Sequence, residues 1–117
     1  MRSQALKGHL DMLLLAVLDD GPKHGYAIVD ALRERSDAVF DLPDGTVYPA
    51  LHRLEEAGLI ASEWSQVEGR RRRTYSITKK GRTHLGEERH RWQEFFVAID
   101  RVLGEEPWPS TARSTAT

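Results

Sequence analysis

Residues 41–60, DLPDGTVYPALHRLEEAGLI, followed by residues 69–81, GRRRRTYSITKKG, decide how the rest of the chain is read. Asp44 suits the N-cap of a helix whose apolar positions Val47, Leu51, Leu54 and Ala57 recur every three or four residues, with Gly58 as its stop. Pro49, near the end of the first turn, removes at most about one backbone hydrogen bond. Residues 59–64 and 74–78 are short runs rich in β-branched and aromatic side chains, separated by the polar, Gly-containing residues 65–73. This predicts a β-hairpin with a basic tip. With Val47, Leu51 and Leu54 turned inward, Thr46, Tyr48, Pro49, His52 and Arg53 fall on the outer face of the helix, where hydroxyls and a guanidinium suit phosphate and base-edge contacts. Each of these taken alone is an ordinary solvated position. Arg70, Arg71, Arg72 and Arg73 change the balance, because four adjacent guanidiniums repel one another unless an anionic partner compensates, and a phosphate backbone does so with release of counterions.

Upstream, Leu6, Leu10, Leu13, Leu14, Val17 and Leu18 mark a first helix that Asp20-Gly21-Pro22 stops. Residues 24–35 repeat the pattern with Tyr26, Ile28, Val29 and Leu32, and residues 36–43 read as a loop. Three helices followed by a hairpin is the layout of a winged helix-turn-helix, whose third helix enters the major groove while the hairpin reaches nearby backbone. Downstream, residues 80–103 carry Leu85, Trp92, Phe95, Phe96, Ile99, Val102 and Leu103 on one stripe, with Leu85, Trp92 and Ile99 a heptad apart. A three-helix core that uses its own apolar faces leaves this stripe uncovered. A second copy packing about a two-fold axis covers it and presents two recognition helices to a palindromic operator. The expected fold class is therefore mostly α with a small β-hairpin (α+β), a winged helix-turn-helix with a long C-terminal dimerisation helix.

The chain of 117 residues has room for one compact domain and a projecting element. We divide it into a DNA-binding domain at residues 1–79, a dimerisation helix at 80–104, and a disordered Pro-, Ser- and Thr-rich tail at 105–117 in which Trp108 has no assigned role. With no cysteine, disulfides, thiolate nucleophiles and Cys-based zinc sites are excluded. The apolar run at residues 12–18 falls well short of the roughly 20 residues of a membrane span, so the expectation is a cytoplasmic protein without a membrane partner. The formal net charge is −1, yet residues 70–82 contain seven cations and no carboxylate, which leaves the remainder net acidic.

Catalysis finds little support. His9, His24, His52, His84 and His90 show no convincing ligand spacing; Glu87 with His90, and His84 with Glu88, would need ligands from another element to hold a metal. There is no nucleophile motif, phosphate-binding glycine loop or HExxH, so the chain is read as a non-enzyme without metal or cofactor. The alternative from another class is a winged-helix module that binds a protein partner without specific DNA binding, against which the basic hairpin argues.

The two quoted stretches, with LLLAVLDDGPKHGYAI at residues 13–28, resemble the PadR family of transcriptional regulators over roughly residues 5–103, and the single C-terminal helix resembles its short subgroup. The resemblance implies a dimeric repressor, released when a small planar or phenolic compound binds. It matches Thr46, Tyr48 and Arg53 to recognition-helix positions and Arg70 and Arg72 to wing positions. It also matches Trp92 to an aromatic that drug-sensing members place on the dimer helix, with Met12, Glu88 and Phe96 lining the cavity. The sequence departs by having Phe96 where the drug-sensing relative has an acid, a role that Glu88, one turn from Trp92, would partly fill. Trp92 thus carries two readings, packing across the interface and stacking on a ligand.

Overall fold

The computed structural model describes residues 9–104, and these form four helices and a three-stranded antiparallel sheet. The order is α1 (Leu10–Leu18), β1 (Lys23–His24), α2 (Gly25–Arg35), α3 (Asp44–Glu56), β2 (Ile60–Val67), β3 (Arg70–Ile77) and α4 (Lys79–Leu103), with the strands arranged β1-β3-β2. This is the expected α+β winged helix-turn-helix. Leu6 and the tail at residues 105–117, including Trp108, lie outside the described residues.

One core holds these elements. Leu14, Leu15 and Leu18 of α1, Ile28 of α2, Val47, Leu51 and Leu54 of α3, and Ile60 of β2 are almost completely buried, and Tyr75, Ile77 and Leu85 close the cluster. Burying each of the larger aliphatic side chains contributes about 1.5–3 kcal/mol, so the three-residue and four-residue apolar spacing is what selects helices here. Among the described residues no charged side chain is buried, and Tyr75 is the ionisable residue that the core takes in.

Several boundaries differ from the sequence reading for local reasons. Lys23 and His24 pair with Tyr75 and Thr74 as an edge strand, so α2 begins at Gly25 instead of His24. Pro43 is the N-cap of α3, and Asp44, expected as the cap, is the first helical residue, where its carboxylate complements the helix dipole. Pro49 then lies in the second turn, not the first, and leaves the Gly45 carbonyl without its helical donor. The hairpin is longer than expected. Glu68 (φ 52°) and Gly69 (φ 78°) both adopt left-handed backbone, the requirement of a two-residue type I′ turn, and the ladder runs to the Val67–Arg70 pair. The four arginines therefore stand along β3 and only Arg70 borders the turn.

The end of α3 and the start of α4 are clasped together. Gly58 (φ 78°) ends α3 with the Leu59 N–H donating to the Leu54 carbonyl at 3.0 Å, a Schellman closure. The next three carbonyls are satisfied from the far side of the hairpin: Lys80 Nζ donates to Ala57 O (2.9 Å), Thr78 Oγ1 to Gly58 O (2.7 Å) and Thr78 N to Leu59 O (3.1 Å). Thr78 Oγ1 in turn accepts from Gly81 N at 3.0 Å and caps α4. Gly81 is required because a Cβ there would lie 2.0 Å from Leu59 O.

Beyond this clasp α4 leaves the body. Gly81 and Leu85 are its buried residues, whereas Trp92, Phe95, Phe96, Ile99, Val102 and Leu103 are exposed. Leu85, assigned to the dimer stripe, belongs instead to the core of its own chain, 2% exposed, because the heptad that carries it out to Trp92 starts while α4 is still packed against the domain.

The glycines of α4 separate two effects. Gly86→Ala adds a methyl where nothing lies within 4 Å and should raise stability by about 0.5–1 kcal/mol through helix propensity. Gly81→Ala gains the same propensity but meets a backbone carbonyl, and should lose about 2 kcal/mol or more. Urea unfolding of the two variants checks the opposite signs, and a stabilised Gly81→Ala variant would refute the clasp.

Candidate nucleic-acid interface

The buried face of α3 (Val47, Ala50, Leu51, Leu54) fixes what its other face presents. Pro49, His52 and Arg53 are exposed, Tyr48 is partly so, and Thr46 is half-buried on the flank. His52 Nε2 lies 3.5 Å from Glu56 Oε2 one turn on. Arg53 Nη2 donates to Asp11 Oδ1 of α1 at 2.5 Å, a partner the sequence reading missed.

Tyr48 is held by α2. A Cβ at Gly25 would lie 2.3 Å from the Tyr48 hydroxyl oxygen and 2.5 Å from its ring, so the phenol rests on a backbone that glycine leaves bare. Burial, followed by the Asp44 carboxylate and Tyr75, raises the Tyr48 pKa above its ordinary value of 10.0. Burial also raises Tyr75, with Arg73 opposing and Glu55 adding to the shift. Both phenols therefore stay neutral donors through the whole physiological range.

The wing carries its charge on aromatic rings. Since β1 pairs with only Thr74 and Tyr75, the edge of β3 at Arg70–Arg73 has no strand partner on that side among the described residues. Trp64, opposite Arg73 in the ladder, takes the Arg71 guanidinium at 4.6 Å from its ring centre and that of Arg73 at 5.6 Å. Arg72 lies 5.1 Å over Tyr26, and its Nη1 donates to the Tyr26 hydroxyl at 2.5 Å. Contacts of this kind contribute about 0.5–1 kcal/mol each at exposed sites, and they orient a guanidinium without neutralising it. Arg73 is different. Its Nη2 pairs with Glu55 of α3 at 3.2 Å and its Nε donates to Ser62 Oγ at 2.9 Å, while Ser62 Oγ donates to Glu55 at 2.7 Å. It fastens the wing to α3. Arg70 makes no ion pair or side-chain hydrogen bond among the described residues. His24, stacked on Tyr26 at 5.4 Å with its Nδ1 buried and lacking a hydrogen-bond partner among the described residues, completes the wall of a groove of about 360 Å³. Tyr26, Tyr48, Trp64, Tyr75 and all four arginines line it.

A second groove, of about 270 Å³, lies where α4 crosses the start of α1. Of the residues expected to form a ligand cavity, Met12, Glu88 and Trp92 line it, and Phe96 packs on Trp92 at 5.8 Å between ring centres without lining it. His9, which meets the Trp92 ring edge-on at 5.3 Å, Arg91 and Phe95 also line it and were not read from the sequence. Glu88 is not the free anion that was expected to replace the missing acid, because Arg91 one turn on pairs with it. No three His, Cys, Asp or Glu side chains converge on a metal geometry among the described residues.

Trp64, Tyr26, Gly25 and Asp11 contact the candidate residues and do not stand out in the sequence. The Glu68-Gly69 turn sets the register that puts Trp64 opposite Arg73, and it was the signal available. The others depend on contacts distant in sequence.

The pattern of the transcriptional regulator PadR-like family matches residues 14–87, more than half of the chain. A transcriptional regulator from Clostridium thermocellum superposes with a TM-score of 0.79 at 28% identity, covering 86% of this chain and 96% of that one. The crystal structure of a PadR family transcriptional regulator from Eggerthella lenta gives 0.76 at 31% identity, covering 88% of each chain. The transcriptional regulator Rv3488 of Mycobacterium tuberculosis is 40% identical over 75 residues, 64% of this chain and 67% of its own.

A phenol whose folded pKa is raised adds stability that is complete below pH 10 and is lost as pH rises through the folded value. Stability should therefore fall above pH 10, and Tyr48→Phe should make that fall shallower in unfolding experiments at a series of alkaline pH values. Gly25→Ala should dislodge the Tyr48 ring and destabilise the fold by about 1–3 kcal/mol. Adding Tyr48→Ala should restore part of the loss, and strictly additive effects would show that the two residues do not compete for that space.

Proposed function

The chain belongs to the transcriptional regulator PadR-like family of DNA-binding regulators, and from that premise we propose that it represses transcription as a homodimer on a palindromic operator. The observation that carries this reading is one of placement. The outer face of α3 and the arginine-lined groove of the wing adjoin each other, while α4 carries an exposed apolar stripe away from the body.

In this reading Thr46, Tyr48, Pro49, His52 and Arg53 enter the major groove, with the wing on the adjacent backbone. Arg70, Arg71 and Arg72 meet phosphates, each already oriented or free of a carboxylate. Arg73 is a positioning residue that holds the wing against α3 through Glu55. Trp92, Phe95, Phe96, Ile99, Val102 and Leu103 form the dimer seam, so that residues 1–79 act as a reading head on the helix at 80–104. The groove between α1 and α4 takes a small aromatic or phenolic effector against Trp92, and its binding releases the operator. Pairing of Glu88 with Arg91 favours neutral or phenolic molecules over cations there. The protein acts in the cytoplasm, where the DNA is.

Selection of bound duplexes from a random pool, followed by sequencing, tests the central statement: an enriched inverted repeat is expected, and retention without enrichment would refute an operator. Arg70→Ala with Arg71→Ala should weaken operator and random duplex together and flatten the dependence of log K on log salt by about 2 per protomer. Arg73→Ala should instead lower stability, and an equal loss of slope there would contradict its positioning role. Trp92→Ala should shift sedimentation toward monomer or abolish the response to a phenolic probe such as ferulate, and no change in either would remove Trp92 from both roles.

A further inference from the structure

The recognition helix is poor in positive charge. Between Asp44 and Glu56 it carries Asp44, Glu55 and Glu56 against Arg53, with His52 beside Glu56. Arg53 is thus the helix's only permanent cation, and its guanidinium is engaged by Asp11 across the boundary with α1. Both side chains remain about half exposed, 59% and 40%, so the pair is open to water and readily exchanged. The wing shows the opposite arrangement: among the described residues Arg71 and Arg72 are oriented on rings, and neither they nor Arg70 is held by a carboxylate. Sequence-blind attraction and sequence reading are therefore separated in the protein, one on each element.

We propose that Asp11 is a specificity-determining residue for DNA binding, an inference that rests on the reading of α3 as the recognition helix. In the free protein Asp11 holds Arg53 against α1. A backbone phosphate exchanges the Asp11 carboxylate for another anion, like for like, so random duplex gains little by drawing Arg53 away. A guanine edge offers two acceptors, O6 and N7, in the geometry of the guanidinium fork, and this second hydrogen bond is what the carboxylate contact at Asp11 does not supply. Arg53 then contributes at the right base pair and is withheld elsewhere. The sequence-blind affinity is left to the wing, where it brings the protein to DNA without fixing its register.

The test uses Asp11→Asn in the full-length chain, a nearly isosteric change at a half-exposed site, with a random-sequence duplex and the best sequence from the selection as probes. Affinity for the random duplex should rise about three- to tenfold and its salt slope should steepen by about one per protomer, as one further phosphate contact requires. Affinity for the selected sequence should change less, so the ratio of the two falls. In an Arg53→Ala background the same Asp11→Asn change should leave that ratio alone, which separates the contact from the mere loss of a negative charge. An unaltered ratio in the protein that retains Arg53, or equal weakening on both duplexes, overturns the proposal, the latter making Asp11 a residue that aims Arg53 at DNA. If the unmodified protein selects no sequence at all, the operator reading fails first and the role of Asp11 falls with it.

Discussion

The backbone carbonyls that α3 leaves unpaired at its C-terminus are the constraint on which the rest of the structure depends. A helix must find partners for these groups outside itself. Here the chain turns once through a Schellman closure, runs out and back along the wing, and supplies the partners for Ala57, Gly58 and Leu59 from Thr78 and Lys80. Lys80 sits at an unfavourable end of its own helix, near the positive pole of α4, but at the favourable negative pole of α3. A cation that weakens α4 taken alone thus strengthens the junction. The wing is consequently an excursion between two points tied to each other, which holds its base against α3.

Charge is distributed by the same logic of position. The chain is nearly neutral, and α3 carries three carboxylates, at its two ends, against one arginine. The positive field is concentrated along β3, where cation–π contacts with Trp64 and Tyr26 hold guanidiniums in place at little electrostatic cost. A carboxylate in the same role would orient an arginine and cancel it at once, as Glu55 does for Arg73. The edge of a strand lined with cations also resists pairing with another strand, so the arrangement protects the wing from edge-to-edge association.

Much of this was legible in the sequence. The four helices followed from apolar spacing, the stop at Gly58 from its position after Ala57, and the hairpin from two β-rich runs. The convergence of Met12, Glu88 and Trp92 followed from the resemblance to the family. What escaped reading had physical reasons. A strand of two residues, Lys23–His24, is too short to show any periodicity, and it exists because β3 offers it an edge. The ends of the hairpin strands were misplaced because charged residues score poorly for strand, whereas a type I′ turn at Glu68 and Gly69 carries the ladder through them. Leu85 lies on the same stripe as Trp92, and no pattern within a helix tells where the domain ends beneath it. The ion pairs of Arg53 and Arg73 join elements separated by 42 and 18 residues, a separation at which sequence spacing carries no information.

Rigidity at the junction of α3 and α4 makes the long helix a lever. With 25 residues, α4 is about 37 Å long at about 1.5 Å per residue. A tilt of about 5° at its far end would swing the clasped reading head by about 3 Å, close to the 3.4 Å spacing of successive bases along a DNA strand. In the dimer proposed above, a repacking of side chains too small to unfold anything would put the two heads out of phase with the grooves they are proposed to enter together.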